Sequence, residues 1–206
     1  MVRFIVGITG GSGVGKTTLI NQLYKEFDGK VSTFSLDNYY LPKEEQAKDE
    51  NGVINFDLPT ALHAENLERD INLLMKGEQI EQPIYGFNNP SSKKAVQYIE
   101  PRELLIVEGL YVMYYPFLRK SLDYSVYLTV DKTLQLERRL KRDMTERNYK
   151  REDIIYQWNN HVMPSYDAHV RPFKQESNLI ITNNEKFDDN IHILMAKIHE
   201  KLDQPE

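Results

Sequence analysis

Gly10-Gly11-Ser12-Gly13-Val14-Gly15-Lys16-Thr17 fits the pattern G-x-x-x-x-G-K-[ST]. It stands between an apolar run, Phe4-Ile5-Val6-Gly7-Ile8, and a helix-like stretch, Thr18-Leu19-Ile20-Asn21-Gln22-Leu23. Strand, glycine-rich loop and helix in that order are what make a short pattern a phosphate-binding loop. Glycines let successive backbone N–H groups turn inward around a polyphosphate with no Cβ in the way. The helix that follows adds unpaired N–H groups and the positive end of its dipole. Nucleotide contacts are therefore assigned to Gly10, Gly11, Ser12, Gly13, Val14, Gly15, Lys16, Thr17 and Thr18. Lys16 is expected to reach the β and γ phosphates of a nucleoside triphosphate, and the Thr17 hydroxyl to sit on Mg²⁺.

The rest of the chain fits one domain around that loop. Its 206 residues are enough for a substantial core. The formal net charge of −5 advertises no basic surface for a nucleic acid or an anionic membrane. No cysteine occurs, which excludes disulfides and thiolate metal sites and suits a reducing compartment. No charged-then-apolar leader opens the sequence, and no apolar stretch approaches the ~20 residues of a membrane span. The expectation is a cytoplasmic protein without membrane or nucleic-acid partners.

Short β-rich runs alternate with helical patterns, as in a parallel sheet wrapped by helices. Strands are predicted near residues 4–8, 31–35, 104–107, 125–129 and 178–181, and helices near 15–27, 61–76, 132–148, 151–169 and 188–202. The expected class is α/β, a P-loop NTPase fold with a five-stranded parallel sheet. Residues 41–100 break the alternation: a polar, acidic stretch, a helix, and extended pieces near 80–84 and 95–99 flank a turn-rich loop. Long excursions inside a compact domain are usually functional, so this one reads as a small extended, hairpin-bearing substrate-binding insertion.

Three constellations carry chemistry. The second strand ends in Ser35-Leu36-Asp37-Asn38-Tyr39-Tyr40, and ligands of open α/β sheets bind outside the carboxyl ends of the strands. Asp37 there is a general base or magnesium-organising carboxylate, or the head of an Asx turn with Asn38. Leu104-Leu105-Ile106-Val107-Glu108-Gly109 is an apolar strand finishing in a carboxylate, the layout of a second magnesium-organising motif. Finally, Arg139 and Arg142 share a helix face, with Arg147 near the helix end. Most charges in this run read as a solvated face with pairs such as Asp143–Arg147. Phosphoryl transfer nevertheless needs cations that close over the γ-phosphoryl group, and an arginine-bearing lid at about residues 139–150 meets that need. His161, His169, His192 and His199 lack metal-ligand spacing and read as surface or boundary residues. Tyr156 and Trp158 read as packing.

The order GGSGVGKTT, SLDNYY, NFDLPTAL (residues 55–62), PIYGF (83–87), IVEGLY (106–111) and RRLKRDMTER (138–147) resembles the uridine kinases, or uridine–cytidine kinases, from about Phe4 to Ile181. The resemblance implies ATP- or GTP-dependent, magnesium-assisted phosphorylation of the 5′-hydroxyl of a pyrimidine ribonucleoside. In it, Asp37 is the base, Lys16, Arg139 and Arg142 act on the transferring group, and Arg147 joins the lid over the nucleotide. Tyr40, Phe56 and Asp57 line the nucleoside pocket, with Asp57 near the ribose hydroxyls. Tyr85 and Phe87 pack on the base, Gln157 and Arg139 contact the nucleoside, and Thr17 and Glu108 hold Mg²⁺. It also implies a homo-oligomer, a tetramer in the family.

The departures fall where substrate choice is set. The family's loop continues YDF-x-x-H-S-R, whose histidine reads the pyrimidine edge. Here Gly86 replaces the aspartate, Pro90 stands at the histidine and offers no side-chain hydrogen bond, Ser92 replaces the arginine, and Tyr149 replaces a lid arginine. Two further readings follow from these changes. One is a related kinase acting on nicotinamide riboside, pantothenate or a sugar phosphate. The other is a nucleotide-binding regulatory protein without catalysis.

Overall fold

The computed structural model describes residues 1–86 and 95–204. Five strands, β1 (Phe4–Thr9), β2 (Val31–Ser35), β5 (Leu104–Glu108), β6 (Tyr124–Thr129) and β7 (Leu179–Thr182), form one sheet in the order β2-β5-β1-β6-β7. Every neighbouring pair is parallel. β1 and β5 are apolar along nearly their whole length because both faces are covered. Phe4, Val6 and Ile8 pack with α1 (Lys16–Glu26) and α7 (Asn190–Leu202) on one side. Ile5, Leu105 and Val107 pack with α2 (Ala64–Met75) and α3 (Pro116–Ser121) on the other. The insertion's extended pieces pair as an antiparallel hairpin, β3 (Ile80–Pro83) with β4 (Val96–Ile99).

Most predicted elements stand where the sequence placed them, with ends moved by identifiable chemistry. The helix expected from residue 61 begins at Ala64, because Pro59–Ala61 turns as a 3₁₀ piece. The helix expected to run to residue 148 is α4, Lys132–Thr145, and Asn148 takes a left-handed φ of 57° just past it. Asn is one of the few residues that tolerates that conformation.

The predicted single helix 151–169 is three segments. α5 (Arg151–Gln157) passes into a π-helical turn, Trp158–Val162, before α6 (Met163–His169). Pro164 has no N–H to continue the ladder, and its ring would strike the carbonyl four residues back. The chain widens instead, and the Met163 N–H bonds to the Trp158 carbonyl five residues earlier. Trp158, His161 and Val162 are thereby buried. His161, read from the sequence as a surface or boundary residue, is 1% exposed.

Among the described residues no helix is long and apolar enough to cross a membrane.

Candidate active site

The phosphate loop leaves β1 through Gly10, whose φ is 146°. A Cβ there would stand 2.4 Å from the carbonyl oxygen of Leu128, so both conformation and space require glycine. Gly15, at φ 100°, is the N-cap of α1, so the first-turn N–H groups of Lys16, Thr17 and Thr18 are left for a ligand. Lys16 Nζ bridges the mouth of the loop, donating to the carbonyls of Gly10 (3.2 Å) and Gly11 (3.4 Å). The loop is braced from outside. Gln135 Nε2 donates to the Ser12 carbonyl at 2.7 Å, and Asn183 Nδ2 to the Val14 carbonyl at 2.9 Å. Arg142 reaches Ser12 Oγ at 3.1 Å, tying α4 to the loop.

Parallel pairing brings the two sequence-predicted carboxylates together. Glu108 lies in register with Ile8 and with Ser35, so it ends β5 between the end of β1 and the turn that carries Asp37. Ser35 Oγ donates to Glu108 Oε1. Burial, then the negative charge of Asp37, push the Glu108 carboxyl up to about 7 against the opposing influence of Lys16 and of the Ser35 hydroxyl. Two carboxyl groups that share the influence of one lysine form a site short of positive charge. That shortage suits a divalent cation. Among the described residues no cluster of three or more His, Cys, Asp or Glu could hold a metal by itself. The residues present fit Mg²⁺ held by Glu108 and Thr17 together with phosphate oxygens, as in other magnesium–nucleotide sites.

At the end of α4, two of its arginines and Arg147 just beyond it converge on one buried carboxylate. Asp143, 1% exposed, is paired with Arg142 (2.8 Å), Arg139 (3.4 Å) and Arg147 (3.4 Å). The sequence reading took the Asp143–Arg147 pair for solvated surface charge; the structure buries its carboxylate at the centre of the cluster. Arg139 Nε is itself buried and faces Asp143 Oδ2 at 3.4 Å without making a hydrogen bond among the described residues.

Residues 41–63 form a strap beside the loop that leaves and rejoins the body through the Tyr40–Leu62 bridge. The Tyr40 ring stands between Phe56 (6.2 Å, edge-on) and Tyr85 (5.2 Å). Asp57 lies beside them. Burial raises its carboxyl pKa, opposed chiefly by the positive charge of Arg139. Tyr111 donates to the Asp57 carbonyl and shares a 2.8 Å hydrogen bond with Ser165. Asn38 fixes the hairpin to the end of β2, accepting from the Tyr85 N–H (3.0 Å) and donating to Gln82 (2.8 Å). Gln157 ends α5, half-buried. Phe87 and the loop 88–92 lie outside the described residues.

With this geometry in place, comparison with known proteins decides the lineage. Residues 5–188 match the Phosphoribulokinase / Uridine kinase family. The chain belongs to this family. A uridine kinase of Alkaliphilus metalliredigens is 34% identical over 94% of the chain and 93% of its own length. One from Limosilactobacillus reuteri is 31% identical over 96% and 91%. A possible uridine kinase from Bacillus stearothermophilus superposes with a TM-score of 0.64 at 18% identity, covering 87% of this chain and 89% of that one, and shares the fold. As a family member the protein is a kinase that transfers a phosphoryl group to a hydroxyl.

Several residues that hold this kinase site together were not singled out from the sequence. Asp143 stood in the sequence as half of a charge pair with Arg147, but its spacing carried no sign of its burial. Asp49, Gln82, Tyr111 and Ser165 had no signal, because each acts across a long separation that only the fold creates.

Proposed function

We propose that the protein transfers the γ-phosphoryl group of ATP or GTP to the 5′-hydroxyl of a pyrimidine ribonucleoside, uridine or cytidine, yielding the nucleoside monophosphate. One observation carries the reading: an aspartate on the β2 turn, Asp37, shares an electrostatic site with Glu108 and Lys16 at the mouth of the phosphate loop. The full-length relatives named as uridine kinases support the acceptor.

Asp37 accepts the proton of the 5′-hydroxyl as its oxygen bonds to the γ-phosphorus and the bond to the β–γ bridging oxygen breaks, releasing the nucleoside diphosphate. The phosphate-loop amides and Lys16 hold the donor in line. Arg139, Arg142 and Arg147 stabilise the charge that spreads over the transferring group. Thr17 and Glu108 would hold Mg²⁺, which supplies further neutralisation of the phosphates. Asp57 binds the ribose hydroxyls, and Tyr40, Phe56, Tyr85 and Gln157 enclose the nucleoside.

A panel of acceptors with labelled ATP tests the reading. Uridine, cytidine, adenosine, nicotinamide riboside, pantothenate and a sugar phosphate are compared by kcat/KM. Transfer to uridine and cytidine is expected to dominate; transfer to neither would overturn the proposal.

A further inference from the structure

Outside the catalytic groups, one carboxylate gathers four hydrogen bonds. Asp49 Oδ1 accepts from the backbone N–H groups of Asn51 (2.9 Å) and Val53 (2.8 Å), which shapes its own turn. Asp49 Oδ2 accepts from the Tyr156 hydroxyl and from His161 Nε2, each at 2.7 Å. Asn51 Nδ2 adds a 2.7 Å bond to the same Tyr156 hydroxyl. The strap that leads to Phe56 and Asp57 is thereby fastened to the helical arm on either side of Gln157, more than a hundred residues away in sequence.

The chemistry fixes the sense of these bonds. Burial tends to raise the Asp49 pKa, but the hydrogen bonds from Tyr156, His161, Val53 and Asn51 outweigh it and hold the carboxyl at about 2. It is an acceptor at neutral pH, so His161 Nε2 carries the proton it shares. His161 Nδ1 is buried without a hydrogen-bond partner among the described residues. An apolar side chain would pack there without that penalty, so the imidazole serves Asp49, not the core. The π-helical turn is what points it inward.

We propose that Asp49, Tyr156 and His161 form a positioning latch that holds the strap closed and sets acceptor affinity without touching the acceptor. The inference rests on the reading of Asp57 as an acceptor-binding residue.

Steady-state kinetics of Tyr156→Phe, His161→Phe and His161→Gln test it. Loss of one charge-assisted hydrogen bond predicts an acceptor KM raised about tenfold in Tyr156→Phe and His161→Phe, with kcat and the KM for ATP within about twofold of wild type. His161→Gln keeps an N–H donor at the Nε2 position and should recover most of the affinity. Unchanged acceptor KM, or equal damage to kcat and ATP affinity, would overturn the latch. The wild-type panel identifies the acceptor independently, so failure of the pyrimidine reading leaves the test intact with whichever acceptor is used. Hydrogen exchange across residues 49–57, measured without any acceptor, should quicken in Tyr156→Phe; unaltered exchange would also overturn the proposal. If His161→Phe does not fold, Tyr156→Phe and His161→Gln carry both measurements.

Discussion

The phosphate loop, residues 10–17, and the strap, residues 41–63, are both irregular backbone, yet different physics shapes them. The loop takes its form from local features, namely left-handed glycines, a helix N-terminus and a lysine folded back on loop carbonyls five and six residues away. Gln135, Asn183 and Arg142 brace that form from outside. The strap is held by distant side chains, with Tyr111 on the Asp57 carbonyl, Tyr115 on the Pro59 carbonyl, and the Asp49 carboxylate on Tyr156 and His161. The loop's glycine conformations are set locally, whereas the strap has its form only through partners far away in the chain.

Perturbing the two sides separately tests this contrast. The largest effect is expected at their junction: Asp37→Asn should lower kcat by about 10²–10⁴-fold while ATP binding by calorimetry stays near wild type. Retained turnover would remove Asp37 from the chemistry. On the donor side, Gly10→Ala forces a Cβ against the Leu128 carbonyl at a left-handed φ. It should lose about 1–3 kcal/mol of stability in denaturant titration, and ATP affinity should fall with it. Asp143→Asn leaves three arginines without their shared carboxylate. Breaking a buried pair costs about 3–5 kcal/mol, discounted here toward the low end because Arg142 is partly exposed. The unfolding midpoint and kcat should fall together; a fall in stability alone would separate the arginines from catalysis.

On the acceptor side, Tyr111→Phe should cost about 1–2 kcal/mol and raise acceptor KM with ATP affinity unchanged, since its hydroxyl supports the strap and not the loop. The smallest effect concerns pH. The Asp49 carboxyl lies at about 2 in the folded chain against 3.8 in the reference state. A depressed folded value means its stabilisation is present above about pH 4 and is lost as pH falls through 2. The stability gap between wild type and Asp49→Asn should therefore narrow from pH 6 to pH 2.5, and a constant gap would show that the charge is not what stabilises the turn.

The same contrast explains what the sequence could reveal. β1, the glycine loop and α1 are contiguous, β5 ends in Glu108 and the turn after β2 carries Asp37, so the placement of Lys16, Thr17, Asp37 and Glu108 followed from parallel-sheet rules. Arg139 and Arg142 followed from helical spacing. The role of Asp143 did not, because burial decides whether a charge is a surface pair or a hub, and spacing alone does not reveal burial. Asp49 and His161 are separated by 112 positions, and the histidine turns inward through a break in helical register that Pro164 enforces. Period-3.6 reasoning carried straight through that break.

Pro164 has a consequence beyond that contact. Successive residues of an α-helix advance by about 100°, so one extra residue in a single turn offsets everything beyond it by roughly that angle. The arm from 151 to 169 is thus two cylinders out of phase. The first presents Tyr156 to the strap; the second presents Ser165 to Tyr111 and Tyr166 to Tyr127. An unbroken helix of the same composition could align with one set of neighbours or the other. The proline acts as a phase shifter that lets one stretch of chain mesh with both.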